Sequence, residues 1–124
     1  MVNNPVAWFE IYVQDIARAK HFYEQVFQIE LREISPPFPG IELWGFPCDQ
    51  QHYGSTGALV KLDGCASGGN STIIYFHCED CAIEAARAKE FGGSIHREKM
   101  SIGEHGYIAL VTDTEGNVIG LHSM

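Results

Sequence analysis

The chain predicts an α+β fold in which one βαβββ order of elements occurs twice. Three observations carry this. Two runs rich in β-branched and aromatic residues are each followed by an aspartate and a helix-period segment. A Gly/Ser-rich stretch, Asp63-Gly-Cys-Ala-Ser-Gly-Gly-Asn70, divides the 124 residues near their middle. Each half then returns to short alternating strands bounded by turn residues.

In the first half, residues 6–13 (VAWFEIYV) read as a strand, and Asp15 suits a helix N-cap because its carboxylate accepts an orphan backbone N–H. Ile16, Ala19, Phe22, Tyr23 and Val26 follow at helical spacing and form one apolar stripe. A second strand is expected over 29–34, ended by Ser35-Pro-Pro-Phe-Pro-Gly40, since proline cannot donate to a ladder. Residues 41–46 and 56–62 read as two more strands around a polar loop.

The second half repeats the order. Residues 71–78 form a strand and Asp80 is the next N-cap. Ile83, Ala86, Arg87 and Phe91 carry a helix to a stop at Gly92-Gly93. Residues 94–98 read as a short strand, and 106–112 with 117–122 form a hairpin around Thr114-Glu-Gly116. Asp15 and Asp80 stand 65 positions apart, and Arg32-Glu33 recurs as Arg97-Glu98 at the same offset. The expected organisation is one domain, 1–124, with modules of about 1–63 and 71–124 joined by a linker at 64–70. A module of about 60 residues buries little surface alone, which is a reason for pairing two.

Composition narrows the function. Lys and Arg total 8 against 16 Asp and Glu, a formal net charge of −8. That excludes a phosphate-backbone binder, which needs clustered cations to displace counterions, and disfavours an anionic membrane surface. No apolar run reaches the roughly 18 residues of a membrane span. The N-terminus lacks a basic and apolar leader, so a cytoplasmic location is expected. Of four cysteines, only Cys78-Glu-Asp-Cys81 has metal or redox spacing. Cys48 and Cys65 do not supply a second pair, and the two acids between the thiols oppose a thiolate. The cysteines are read as packing or surface thiols.

Phe9-Glu-Ile-Tyr-Val-Gln-Asp15 running into Ala19-Lys-His-Phe-Tyr23, Gly57-Ala-Leu-Val-Lys61, and Asp113-Thr-Glu-Gly-Asn117 leading to Ile119-Gly-Leu-His-Ser123 span nearly the whole chain. With these segments the sequence resembles the vicinal oxygen chelate superfamily, which includes glyoxalases, bleomycin-resistance proteins and extradiol dioxygenases. The resemblance is narrowest to small bacterial glyoxalase-like proteins. It implies two βαβββ modules curling into a cup-shaped mixed sheet. In metal-dependent relatives, four strands each supply a His, Gln or Glu ligand. Carried over residue by residue, those positions fall on Trp8, Ile73, Lys61 and Gly120. None is a ligand near neutral pH, so no metal and no cofactor is expected at the usual site. The resemblance also implies a homodimer, with each cup built within one chain or between two.

Alternation places residues in step with those positions inside the cup. They are Trp8, Glu10 and Tyr12 on the first strand, Leu59 and Lys61 on the fourth, Ile73, Tyr75 and His77 on the fifth, and Gly120 and His122 on the last. Phe9, Ile11 and Val13 then pack beneath the helices. The expected catalytic or charge-pairing set is Glu10, Lys61 and His77, with Lys61 assuming the metal's electrostatic role and a histidine relaying a proton. A structural Glu10–Lys61 pair is the competing reading. Trp8, Tyr12, Trp44, Tyr75 and His122 are the expected ligand-binding set, the two tryptophans offering a stacking surface. His21 is expected to face solvent, and His52 and His105 to sit in loops, the latter in a Gly-flanked segment able to act as a lid. A metal site from His77, His105 and His122 lacks recognisable ligand spacing. No nucleophile elbow, phosphate loop or dinucleotide fingerprint occurs.

Two functions follow as expectations. One is a binder of a small apolar or aromatic molecule that does not use the family's metal. The other is a lyase or isomerase working through Glu10, Lys61 and a histidine, with a relocated metal site a further variant.

Overall fold

A computed structural model of the chain describes residues 4–49, 51 and 53–124. His52 lies outside the described residues. The order of elements is β1 Phe9–Tyr12, α1 Ile16–Phe27, β2 Arg32–Ile34, β3 Ile41–Gly45, β4 Gly57–Leu62, β5 Tyr75–His77, α2 Cys81–Glu90, β6 Ser94–Ser101, β7 Tyr107–Thr112 and β8 Val118–Ser123. A single 3₁₀ turn, Gly103–His105, stands between β6 and β7. The repeated βαβββ order is therefore present.

Both aspartate caps form. Asp15 accepts from Arg18 N at 3.1 Å and Asp80 from Ala82 N at 3.0 Å. All five expected stripe residues of α1 are buried. In α2 the stripe is displaced from the expected one. Cys81, Ala85 and Ala88 are buried, while Ile83 is half exposed. The short side chains of Cys81, Ala85 and Ala88 let α2 pack closely on the sheet, while Ala82 and Ala86, equally small, face outward.

The strands form two four-stranded mixed sheets, ordered β1-β4-β3-β2 and β5-β8-β7-β6, rather than one continuous sheet. In each, the first strand runs parallel to the fourth and the remaining neighbours are antiparallel. One core joins them: Ile11, Val13 and Leu59 of the first sheet, Val111, Ile119 and Leu121 of the second, and the buried faces of both helices. Phe9, Phe46, Phe76, Phe27 and Tyr23 interlock there, with Phe9 against Phe76 edge-on at 6.0 Å. That contact links β1 to β5 across the two sheets.

The 64–70 stretch is tied down. Ser67 Oγ donates to Glu115 O at 2.6 Å, Gly68 N to Asn117 Oδ1 at 2.6 Å, and Asn70 exchanges side-chain bonds with the Val118 backbone. Gly68 has φ +85°, a conformation that favours glycine, and a Cβ there would stand only 3.2 Å from the Gly116 carbonyl oxygen. The β7–β8 turn is thereby the clamp between modules. Buried Asp113 accepts from Tyr23 Oη at 2.7 Å and from the backbones of Glu115 and Asn117, while Asn117 Nδ2 donates to Tyr12 O at 2.9 Å.

Candidate functional site

Residues paired in register share a face of their sheet. Ile11 pairs with Leu59 and points with it into the helix-side core. Glu10 pairs with Ala58 and Tyr12 with Val60, on the opposite, open face. This face also carries Leu43, Ile34, Ile41 and Leu62, which pack around buried Ala58 and Val60.

The same register corrects two expectations. Lys61 pairs with Glu42, and Trp44 with Leu59, so both lie on the helix side of the sheet. Lys61 reaches Asp63 at 3.5 Å, and Trp44 lies beneath the Lys20 ammonium, 5.1 Å from its ring centroid. Glu10 and Lys61 are thus on opposite faces and form no pair. Trp8 and Trp44 form no common stacking surface, and Leu59 is wholly buried rather than in the cup. The cause is an odd shift in carry-over. Glu10 and Tyr75 are equivalent by the 65-residue offset, and they pair with Ala58 and Gly120 respectively. The module-one counterpart of Gly120 is Ala58, three residues before Lys61, and an odd displacement reverses the face.

The remaining assignments of parity agree. Trp8 Nε1 donates to Glu10 Oε2 at 3.3 Å and Tyr12 Oη donates to Glu10 Oε1 at 3.0 Å. Residues two apart on a strand share a face, so two rings clasp the carboxylate from both sides. Accepting from Tyr12 and repelling its phenolate, Glu10 raises the Tyr12 pKa above the usual value, with burial adding to it. Among the described residues no cation pairs with Glu10. Glu10 lines a groove of about 240 Å³ along the seam between β1 and the approach to β5, with Tyr12, Asn70, Thr72, Ile74 and Asn117.

On the second sheet, Tyr75, His77, Gly120 and His122 share the open face, because Tyr75 pairs with Gly120 and His77 with His122. A Cβ at Gly120 would overlap the Tyr75 ring, which therefore covers this glycine. His122 lies within β8. The strand runs to Ser123, whose buried Oγ accepts from Cys81 N at 3.1 Å. His122 Nε2 donates to the His105 carbonyl at 2.7 Å and ties down the 3₁₀ turn that had been expected to be a free loop. His21 is exposed, as expected.

The four cysteines are free. Cys78 and Cys81 are buried. Burial pushes the Cys78 thiol up to about 12, with the Glu84 carboxylate and Cys81 adding to it. This is a packing thiol and not an activated nucleophile.

Sequence comparison places this geometry in a family. The model of the Glyoxalase/Bleomycin resistance protein/Dioxygenase superfamily matches residues 6–121. The chain belongs to this superfamily. No curated protein matches it. Among solved structures, it is similar to glyoxalase I from Zea mays at 19 % identity and TM-score 0.71, covering 96 % of this chain and 46 % of that one. The chain thus spans just under half the length of the maize enzyme. It is also similar to TnmS3, an antibiotic-binding protein from Streptomyces sp. CB03234, at 24 % identity and TM-score 0.71, covering 99 % and 98 % of the two chains. A glyoxalase/bleomycin resistance protein from Albidiferax ferrireducens T118 matches at 18 % identity and TM-score 0.68. At these identities the likeness is one of fold.

The metal that this superfamily's enzymes hold does not fit the corresponding positions here. With the register corrected they are Trp8, Ala58, Ile73 and Gly120, which present no ligand atom, and the Tyr75 ring fills the space a side chain at 120 would need. Among the described residues no group of three or more His, Cys, Asp or Glu is gathered to hold a metal.

Proposed function

We propose that this superfamily member binds a small, largely apolar or aromatic molecule in the β1 groove, with Glu10 accepting a hydrogen bond from it. The observation that carries this is the Glu10 carboxylate itself. It stands on an open face, held by the Trp8 and Tyr12 ring donors, with lone pairs beyond those two bonds directed to no protein cation. A groove with Ile11, Ile74, Val118 and Ile119 among its walls, the polar Asn70, Thr72 and Asn117 beside them, and the Glu10 acceptor at one side suits a small ligand bearing an N–H, O–H or cationic group. The antibiotic-binding activity in TnmS3's name supports this reading by analogy of fold alone. The alternative, a lyase or isomerase using Glu10, Lys61 and His77, loses its support because Lys61 is on the far face.

The same proposal includes a homodimer and a cytoplasmic setting. Trp8, Ile73, Tyr75 and Met100 are all more than a third exposed, and each lies on or in step with the open faces, where a second copy would cover them. Four free cysteines suit a reducing compartment, and among the described residues no helix is long and apolar enough to cross a membrane.

A thermal-shift screen of aromatic amines, phenols and planar amides tests the binding reading, because a ligand of the native state raises its apparent stability. A hit should bind Glu10→Gln at least tenfold more weakly. Equal binding by wild type and Glu10→Gln removes Glu10 from the site.

A further inference from the structure

We propose that His77 and His122 form a two-imidazole site for a divalent first-row transition ion, with Zn²⁺ as the test case. The site is distinct from the superfamily's metal positions and from the Glu10 groove. The two histidines are direct register partners on adjacent parallel strands and share the open face. Neighbouring strands lie about 4.8 Å apart, so the two rings project side by side. Two nitrogens can then converge on one ion at about 2.0–2.1 Å each.

The hydrogen bonding favours ligation rather than mere packing. A carbonyl only accepts, so His122 Nε2 carries the proton in its 2.7 Å bond to His105 O. In the neutral imidazole this leaves Nδ1 with its lone pair free. Ligating histidines characteristically donate their other ring N–H to a carboxylate or carbonyl, which fixes the tautomer and orients the ring. His105 O plays that part here, and it is held by a backbone turn in which Ile102 N and Gly106 N donate to Gly106 O and Gly103 O. His77 is exposed and makes no side-chain hydrogen bond among the described residues, so ligation does not cost it an existing partner. Its face-sharing neighbours are Tyr75, Gly120 and Ile108, none of them cationic. Two protein nitrogens leave the other positions of a tetrahedral ion to water or to an oxygen ligand.

The experiment titrates chelator-treated protein with Zn²⁺, following heat and the imidazole carbon-bound proton resonances. The Cys48→Ser/Cys65→Ser background removes the two cysteines that are not buried. One equivalent should bind saturably and shift the His77 and His122 resonances first. His77→Ala should weaken binding at least tenfold. So should His122→Gln, whose amide N–H keeps the bond to His105 O and the fold but supplies no ring nitrogen. His105→Ala, which keeps the carbonyl, should bind like wild type. No saturable binding up to millimolar Zn²⁺, unchanged affinity in both His77→Ala and His122→Gln, or first shifts at other histidines would overturn the assignment.

Discussion

Replacing Glu115 with glutamine should destabilise the protein at neutral pH and remove most of the acid sensitivity of the module joint. Glu115 sits in the β7–β8 turn with its side chain fully shielded from solvent, yet it is ionised. Burial alone would raise its pKa. Hydrogen bonds from Arg18, from the Asp15 and Gln14 backbones and from Thr114 outweigh it and hold the carboxyl at about 2, against an ordinary 4.5. The bonds are short: Arg18 Nε 2.6 Å, Gln14 N 2.9 Å, Thr114 Oγ1 2.9 Å, and Asp15 N and Arg18 Nη2 both 3.0 Å. At 1.36 kcal/mol per unit, and discounting for solvent at the half-exposed Arg18, the shift corresponds to about 2–3 kcal/mol. The folded pKa is below the unfolded one, so this stability is fully present above about pH 5 and is lost as pH falls toward 2. Urea denaturation at intervals from pH 7 to pH 2.5 measures it. Wild type should exceed Glu115→Gln by about 2–3 kcal/mol at pH 7, roughly 10 °C in Tm, and the gap should close on acidification. Parallel stability–pH curves for the two proteins would refute the assignment of Glu115 as the ionised clamp.

Two further outcomes follow from packing and thiol chemistry. Gly120→Ala should cost about 1–2 kcal/mol because its methyl overlaps the Tyr75 ring, and Tyr75→Ala should recover most of that loss. Additive losses in the double variant would show that the two do not touch. At pH 8 iodoacetamide should modify exposed Cys48 quickly and Cys78 only on unfolding, because burial holds the Cys78 thiol at about 12. Mass spectrometry of the folded protein showing Cys78 labelled as fast as Cys48 would contradict this.

The parts of the fold legible in the sequence were those with local causes. Asp15 and Asp80 cap their helices because a carboxylate there meets an orphan N–H, whatever the rest of the chain does. The alternation Trp8-Phe9-Glu10-Ile11-Tyr12-Val13 separated an open from a buried face correctly because polar and apolar residues take turns. In β4 that signal is absent. Gly57, Ala58, Leu59 and Val60 are all buried, so period two leaves no mark and a motif offset wrong by three carried Lys61 to the wrong face. Trp44 failed similarly, its side following from its register with Leu59 rather than from its neighbours. The 64–70 stretch read as a linker because Gly and Ser dominate it. Its partners Glu115, Asn117 and Val118 are some 48 residues away, a distance over which composition carries no information. The clasp of Glu10 by Trp8 and Tyr12 was within reach of sequence, since rings at two-residue spacing on one strand must flank the residue between them.

A ligand received by Glu10 in the β1 groove meets a reporter in Trp8, whose ring N–H is bonded to the same carboxylate. Of the two tryptophans, Trp44 is on the other face, so Trp44→Phe leaves Trp8 as the sole tryptophan, read by excitation selective for indole over the five tyrosines. Titrating a thermal-shift hit into this variant should change Trp8 emission saturably, and adding Glu10→Gln should weaken the apparent Kd at least tenfold. A hit that binds with Trp8 emission unchanged, or with equal Kd in both variants, would contradict the account.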